Sequence, residues 1–341
     1  MTTSLITGIN GQTGSYLAEH LLENGETVWG TVKRNSVTEN QTARLSDAVW
    51  KACTIEYADL LDMPSLIRVI QMAKPDVIYH LAAQSHVRIS FDQPVYTTQT
   101  IVLGTLNLLE AIRLISPHTK MLHAASSECF GNSIDADGFQ RETTQMNPVS
   151  PYGVSKVFGY NICRNYRNAY KLFISNSISF NHESERRGSN FVTAKVCKIA
   201  VRIALGLQDK LELGNLEAAR DWSHAKDVAK AMRLIMNHTV PDDFVVASGT
   251  SRTVRELCDY VFKSLNMNYQ DYVVENQRYL RAEELHTLKG DSSKIRTQLA
   301  WKPEYTFEQM ISEMVSYWMR HYRSKIKPPQ FDTSILYAGR V

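Results

Sequence analysis

Through the first half of the chain, short apolar runs of β-forming residues alternate with longer stretches of helical period. Ser4–Thr7 reads as a first strand, and Tyr16–Glu23 lies in the helix that follows it. Further strands are expected at Thr27–Val32, Ile55–Tyr57, Val77–Leu81, Met121–Ala125 and Leu172–Ile178. Between them the period predicts helices around Ser65–Met72, Thr98–Ile115 and Tyr152–Tyr170. In the second of these, Leu103, Leu106, Leu109 and Ala111–Ile112 recur at helical spacing. Strand and helix in turn predict a parallel sheet with crossover helices. After Phe180 the alternation weakens. Loops rich in charge and glycine follow, with helices near Thr193–Leu205, Val254–Leu265 and Phe307–His321. The apolar stretch Phe244–Ala247 is expected to return to the main sheet. The tail from Lys325 carries Pro328–Pro329 and reads as extended.

Composition narrows this little. The 341 residues are 43% hydrophobic and 21% charged, ordinary for a globular chain with a sizeable core. The net charge of +3 is spread out, with no basic block of the kind that binds nucleic acid. It suits an anionic small ligand. Five cysteines, Cys53, Cys129, Cys163, Cys197 and Cys258, show no metal-ligand spacing and read as reduced thiols of a cytoplasmic protein. A strand begins within a few residues of Met1, leaving no room for a signal peptide, and no apolar run is long enough to span a bilayer.

The first chemistry lies in Thr7-Gly8-Ile9-Asn10-Gly11-Gln12-Thr13-Gly14, between a strand and a helix. Glycines at this turn let the backbone approach a pyrophosphate at a helix N-terminus. The spacing of Gly8, Gly11 and Gly14 is G-x-x-G-x-x-G, which points to the short-chain dehydrogenase group rather than to the usual dinucleotide fingerprint. The expected fold is therefore α/β, a Rossmann-type doubly wound parallel sheet with a smaller, partly interleaved α/β substrate-binding lobe. Residues 1–180 would hold the dinucleotide, 181–330 the substrate, and 331–341 would form an extended tail. NAD-specific folds place an acidic residue after the second strand to bind the ribose hydroxyls. Here Arg34-Asn35-Ser36 is basic and polar, so Arg34 can fork onto a 2′-phosphate and NADP is favoured. Asp59, after the third strand, is placed for adenine, although a turn-forming aspartate would look the same.

Tyr152 and Lys156 form Y-x-x-x-K, one turn apart on a helix face. A neighbouring ammonium lowers a phenol's pKa, so the pair suits a tyrosine base, with Lys156 also reaching the nicotinamide ribose. Ala125-Ser126-Ser127-Glu128 lies at the C-terminal end of the fifth strand, where open α/β sheets place their ligands. Ser126 can hydrogen-bond the reacting hydroxyl. Glu128 adds a second acid/base, which an oxidation alone does not need and which a proton abstraction beside a carbonyl, or loss of water, does.

From roughly Ser4 to Met319 the sequence resembles the GDP-mannose 4,6-dehydratases of the extended short-chain dehydrogenase/reductase family. The resemblance is carried by Thr7–Gly14, Ala82-Ala83-Gln84-Ser85-His86-Val87, Gly104-Thr105-Leu106, Ser127-Glu128, Ser150–Lys156, Arg220-Asp221-Trp222 and Trp301-Lys302-Pro303. Its most specific part is Phe180-Asn181-His182-Glu183-Ser184 with Arg186-Arg187-Gly188. It implies oxidation of a sugar nucleotide at C4 by Tyr152 and NADP, removal of the C5 proton and expulsion of the C6 hydroxyl by Glu128, and return of hydride to C6. It further implies that Asn10, Gln12, Leu60, Leu81, Ala82, Ala83, Ser85, His182 and Arg187 line the cofactor. Ser85, Ser127, Glu128, Asn181, Val192, Lys195, Leu213, Gly214, Arg220, Arg281 and Glu284 would hold the GDP-sugar. His86 lies inside a family motif and reads equally as a structural histidine. A homotetramer is expected from the family pattern and from the long polar loop Arg34–Arg44, which in relatives reaches a neighbouring subunit.

Three positions depart from the family pattern. Thr13 stands where it usually has aspartate, Ser126 where it has threonine, and Ala282 where it has proline. Ser126 keeps the hydroxyl and loses a methyl, which leaves a GDP-manno-heptose as an alternative substrate. Two further alternatives are an epimerase or 4-keto reductase on the same scaffold, and a non-catalytic binding protein. The presence of Ser126, Tyr152 and Lys156 together speaks against the last.

Overall fold

The computed structural model describes residues 1–37, 44–280 and 283–326. Its strands are β1 (Thr3–Thr7), β2 (Thr27–Val32), β3 (Thr54–Tyr57), β4 (Val77–His80), β5 (Lys120–Ser126), β6 (Ile174–Ser179), β7 (Asn181–Glu183), β8 (Leu211–Leu213), β9 (Ala219–His224), β10 (Asp243–Val246), β11 (Ser251–Thr253) and β12 (Val273–Glu275). Seven of them form one parallel sheet in the order β10-β6-β5-β4-β1-β2-β3. The late apolar stretch does return, since Phe244 pairs with Ser177.

Helices cover both faces, so the inner strands are buried along most of their length, as parallel sheets require. On one face, Leu17 and Leu21 of helix Gln12–Glu23 and Val228, Met232 and Ile235 of helix Ala225–Asn237 close over Ile6, Val28 and Phe244. On the other, Leu66, Ile70, Leu108, Ile112 and Cys163 close over Leu5, Ile78 and Met121. Each fully buried leucine or isoleucine contributes about 1.5–3 kcal/mol. Burial, more than helix propensity, therefore fixes these helices. β6 is buried along its whole length although it reads Ile-Ser-Asn-Ser-Ile-Ser. Its polar groups are satisfied internally: Asn176 Nδ2 donates to Asp243 Oδ1 at 2.8 Å, and Ser177 and Ser179 bond each other at 2.8 Å.

The remaining strands make two small sheets, β11-β9-β7 and β12-β8. None of the five was foreseen. They are three to six residues long, and β9 reads Ala-Arg-Asp-Trp-Ser-His, without apolar alternation. A separate core of Val196, Ala200, Leu257, Phe262, Ile311 and Met314 underlies them. Helices Asp47–Ala52, Val87–Asp92, Ala225–Asn237 and Ser293–Leu299 were also unforeseen. The expected helix at Thr98–Ile115 is three pieces: Pro94–Thr98, a π-turn at Gln99–Leu103, and Gly104–Ile115. Gly104 begins the last piece pressed on Leu60, whose Cβ would lie 2.7 Å from a Cβ at that position.

Candidate active site

A cleft of about 610 Å³ opens at the C-terminal ends of β1, β4, β5 and β6 and runs on to the small sheets. At one end, Gly8 follows β1 with φ +73°, and its N–H donates to Thr31 O at 3.0 Å. A Cβ at Gly8 would lie 3.0 Å from Ala82 Cα, and one at Gly14 only 2.5 Å from Gly8 O. Side chains are thus excluded from both positions. Helix Gln12–Glu23 starts from Gly11 with no side-chain cap. Its first N–H groups stay available to an anion at the cleft floor.

The predicted catalytic residues meet in the middle of the cleft. Ser126 ends β5 and its Oγ accepts the Glu128 N–H at 3.2 Å. Tyr152 is the second residue of helix Pro151–Tyr170, which is fixed by Pro151 and by Ser150, whose Oγ accepts Gly153 N–H at 3.0 Å. Glu128, Tyr152 and Lys156 are all buried. Burial holds the Tyr152 phenol well above its ordinary range, and the hydrogen bond with Ser126 draws it back only in part. Burial also pushes Lys156 down to about 8. The Lys156 ammonium donates to Ala124 O at 2.7 Å, with its nitrogen 5.9 Å from the Tyr152 ring centre. The expected lowering of the phenol by the neighbouring ammonium is therefore not what governs Tyr152: burial dominates, and the groups that draw the phenol down are Ser126 and Arg187.

Among the residues expected around a cofactor, Gly8, Asn10, Gly11, Gln12, Gly14, Asp59, Leu60, Leu81, Ala82, Ala83, Ser85, His182 and Arg187 line the cleft. Arg34, Asn35 and Ser36 lie outside the lining, and the Arg34 guanidinium sits 5.9 Å from the Tyr57 ring centre. Lys33 is in the lining instead, paired with Asp59 at 3.0 Å. Asp59 also accepts the Leu61 N–H at 3.0 Å, the turn-forming role left open by the sequence. His182 Nδ1 lies 2.9 Å from Phe180 O, so it carries the proton, and Nε2 accepts from the Thr13 hydroxyl at 2.8 Å. Burial and the nearby Arg187 hold this histidine down to about 4. Gln12 adds two bonds, from its Nε2 to His182 O at 2.9 Å and from Ser184 Oγ to its Oε1 at 2.8 Å. These fasten the glycine-rich loop to β7.

At the other end, Asn181, Val192, Lys195, Leu213, Gly214, Arg220 and Glu284 line the cleft, with Ser127 near its centre. Lys195 Nζ donates to Glu212 O at 2.6 Å and lies 3.6 Å above the Tyr279 ring. Arg220 is buried, with Glu284 at 4.0 Å. Asn181 Oδ1 is buried and takes no hydrogen bond among the described residues. Arg281, Ala282, most of the Arg34–Arg44 loop and the tail fall outside the described residues. Sequence reasoning missed Lys33, Arg88, Thr100, Phe191, Arg278 and Tyr279 as lining residues. A signal existed for Lys33: it stands two residues after Thr31, which also lines the cleft, and successive strand residues face opposite ways.

The model of the family described as GDP-mannose 4,6 dehydratase matches residues 5–314. The chain belongs to that family. Relatives include GDP-mannose 4,6 dehydratase 2 of Arabidopsis thaliana, 46% identical over 92% of this chain and 85% of that protein. The human GDP-mannose 4,6 dehydratase is 40% identical over 92% of this chain and 90% of its own length. Among solved structures, UDP-glucose 4-epimerase from Thermotoga maritima with UDP-glucose superposes with a TM-score of 0.82 at 23% identity, covering 95% of this chain and 99% of that one. RMD from Pseudomonas aeruginosa, complexed with NADPH, gives 0.77 at 24% identity, covering 94% and 100%. These two likenesses show the α/β fold alone; the family rests on the family model and the sequence relatives.

Proposed function

We propose that the chain is a hydro-lyase that converts GDP-mannose to GDP-4-keto-6-deoxymannose, with NADP as a cofactor regenerated in each cycle. The observation that carries this is Glu128 buried beside the Ser126–Tyr152–Lys156 set: an oxidation needs the set alone, whereas loss of water needs a further acid/base. The glycine cradle, which a Cβ at Gly8 or Gly14 would fill, fits a dinucleotide pyrophosphate. A nicotinamide dinucleotide held there would supply a hydride acceptor for C4 and the hydride donor for C6. Tyr152 takes the proton of the C4 hydroxyl, which Ser126 orients; burial opposes the phenolate this needs, and the Ser126 hydrogen bond and the Arg187 charge work against that burial, with the Lys156 ammonium 5.9 Å from the ring centre. Glu128 then takes the C5 proton and delivers it to the C6 hydroxyl, which leaves as water; as hydride reaches C6, C5 takes up a proton, which balances the one Tyr152 removed from the C4 hydroxyl. Asn181, Lys195, Arg220, Arg281 and Glu284 hold the GDP portion, the arginines by forks that match phosphate oxygens.

NADP is preferred to NAD because a cation, Lys33, stands in the lining after β2 and no carboxylate occurs from Lys33 to Ser36. The dinucleotide is assigned to residues 1–180 and the GDP-sugar to 181–330. Assembly as a homotetramer is supported by an apolar groove lined by Val102, Val149, Val154 and Phe158. Leu103 and Val95 are exposed on the neighbouring helical segments. A cytoplasmic location is supported by five free, buried cysteines. No helix among the described residues is long and apolar enough to cross a membrane.

Glu128→Gln tests the central assignment. It keeps the shape of the side chain and removes its proton transfer, typically worth ~10²–10⁴-fold in rate. The variant is expected to accumulate bound reduced nicotinamide, seen by near-ultraviolet absorbance, and to keep solvent deuterium out of C5. Dehydration at the native rate would place the acid/base elsewhere.

A further inference from the structure

Beneath the cleft lies a buried polar chain of Thr7, His80 and Thr105, none of which lines the cleft itself. His80, at the end of β4, is 3% exposed. Its Nδ1 is 3.0 Å from Thr7 Oγ1 and its Nε2 is 3.2 Å from Thr105 Oγ1. Thr7 Oγ1 also accepts the N–H groups of Leu81 at 3.1 Å and Ala82 at 3.2 Å. With both of its lone pairs used, the Thr7 hydroxyl has its hydrogen left to give, and Nδ1 receives it. The Nε2–H then donates to Thr105. Burial, reinforced by nearby Lys156, pushes His80 down to about 3, so it stays neutral and this direction of bonding holds at working pH. The chain ends on two cleft-lining segments. Thr7 leads directly into Gly8, and Ala82 is the residue whose Cα bounds the space at Gly8, 3.0 Å from a Cβ built there.

We propose that His80 is a positioning residue for the dinucleotide: braced on Thr105, it fixes the Thr7 hydroxyl, which holds the Leu81–Ala82 turn against the glycine-rich loop. This rests on the reading that the glycine-rich end of the cleft takes a nicotinamide dinucleotide. It gives the Gly104-Thr105-Leu106 motif a task that the reaction itself does not. Without the hydroxyl, the two half-buried N–H groups of the turn lose their acceptor and turn away to find another. Binding must then restore the geometry, and the cost falls on the dinucleotide alone. GDP, at the far end, is the internal control.

The test titrates NADPH, by fluorescence, and GDP, by calorimetry, into the full-length protein and its variants, with folding checked by circular dichroism. Thr7→Val, nearly isosteric, removes the hydroxyl with its three bonds, and Thr105→Val cuts only the brace on His80. His80→Leu removes both bonds of the imidazole. Thr7→Ser and His80→Asn keep the hydroxyl or an acceptor near the Nδ1 position. Thr7→Val is expected to raise the NADPH Kd on the order of 10- to 100-fold, the range for N–H groups left without an acceptor, and His80→Leu, which leaves the Thr7 hydroxyl in place but unbraced, to raise it by less, at least about threefold. The GDP Kd should stay within about threefold, and Thr7→Ser and His80→Asn should restore most of the NADPH affinity. If His80→Leu does not fold, Thr7→Val decides. An unchanged NADPH Kd in folded Thr7→Val, or a parallel loss of both ligands, overturns the proposal. A native protein that binds GDP and no dinucleotide would overturn the underlying reading first.

Discussion

Replacing Lys156 by methionine should make the protein more stable at neutral pH while it loses activity. Burial lowers Lys156 from the ordinary 10.5 of a lysine to about 8. At about 1.4 kcal/mol per pH unit, keeping it charged in the folded state costs about 3 kcal/mol. Against this stands its hydrogen bond to Ala124 O at 2.7 Å, a charged bond worth about 1.5–3 kcal/mol. Methionine fills the same space without the charge, so Lys156→Met should gain about 1 kcal/mol at pH 7. The pH dependence gives the sharper check. Below pH 8 the folded and unfolded chains both hold the proton, and the wild type bears the full cost. Between 8 and 10.5 only the unfolded chain holds it, so wild-type stability rises with pH relative to the variant. The variant's advantage should therefore shrink above pH 8 and reverse by pH 10, where a neutral amine still bonds Ala124. Chemical denaturation at pH 7, 8.5 and 10 measures this, with turnover expected to fall by ~10²–10⁴-fold. A variant less stable than the wild type at pH 7, or a difference that does not change with pH, would refute the reasoning.

Lys33→Ala should weaken NADP binding by about 10- to 100-fold, the worth of one charged phosphate contact, and leave NAD within about threefold. If Arg34→Ala proves the more damaging in the same titration, the phosphate contact belongs to the Arg34-Asn35-Ser36 loop. Val154→Glu with Phe158→Glu puts charge on the exposed apolar face of helix Pro151–Tyr170 and should reduce the assembly, as read by light scattering. An unchanged mass would move the interface elsewhere.

The legible parts of the sequence were those in which one physical requirement dominates. The glycine-rich loop is one: Gly8 needs positive φ and Gly14 has no room for a side chain, so the spacing itself reports the phosphate loop. Tyr152 and Lys156 were legible because helix Pro151–Tyr170 follows the strand that ends in Ser126. The small sheets were illegible because their strands bury polar groups satisfied by distant partners. Asp221 of β9 accepts from Ser248 N at 2.9 Å, Gly249 N at 2.9 Å and Gly290 N at 3.2 Å, none of them near in sequence. Thr13 was legible only as a departure from the family's aspartate; what it does, a hydroxyl contact with His182 across 169 residues, depends on tertiary structure. Tyr152 shows the limit of pairwise reasoning: the lysine is where the motif puts it, but burial, which the motif does not report, decides the phenol's acidity.

The central claim, that this family member removes water from GDP-mannose, is tested most directly by weighing the product. The purified protein is incubated with GDP-mannose, with NADP in less than stoichiometric amount, and the nucleotide sugar is analysed by mass spectrometry. The account predicts a sugar nucleotide lighter by one water, formed over many turnovers with no net change in the nicotinamide. A product of unchanged mass, an oxidised product formed only in proportion to NADP consumed, or turnover of GDP-manno-heptose with none of GDP-mannose would contradict it.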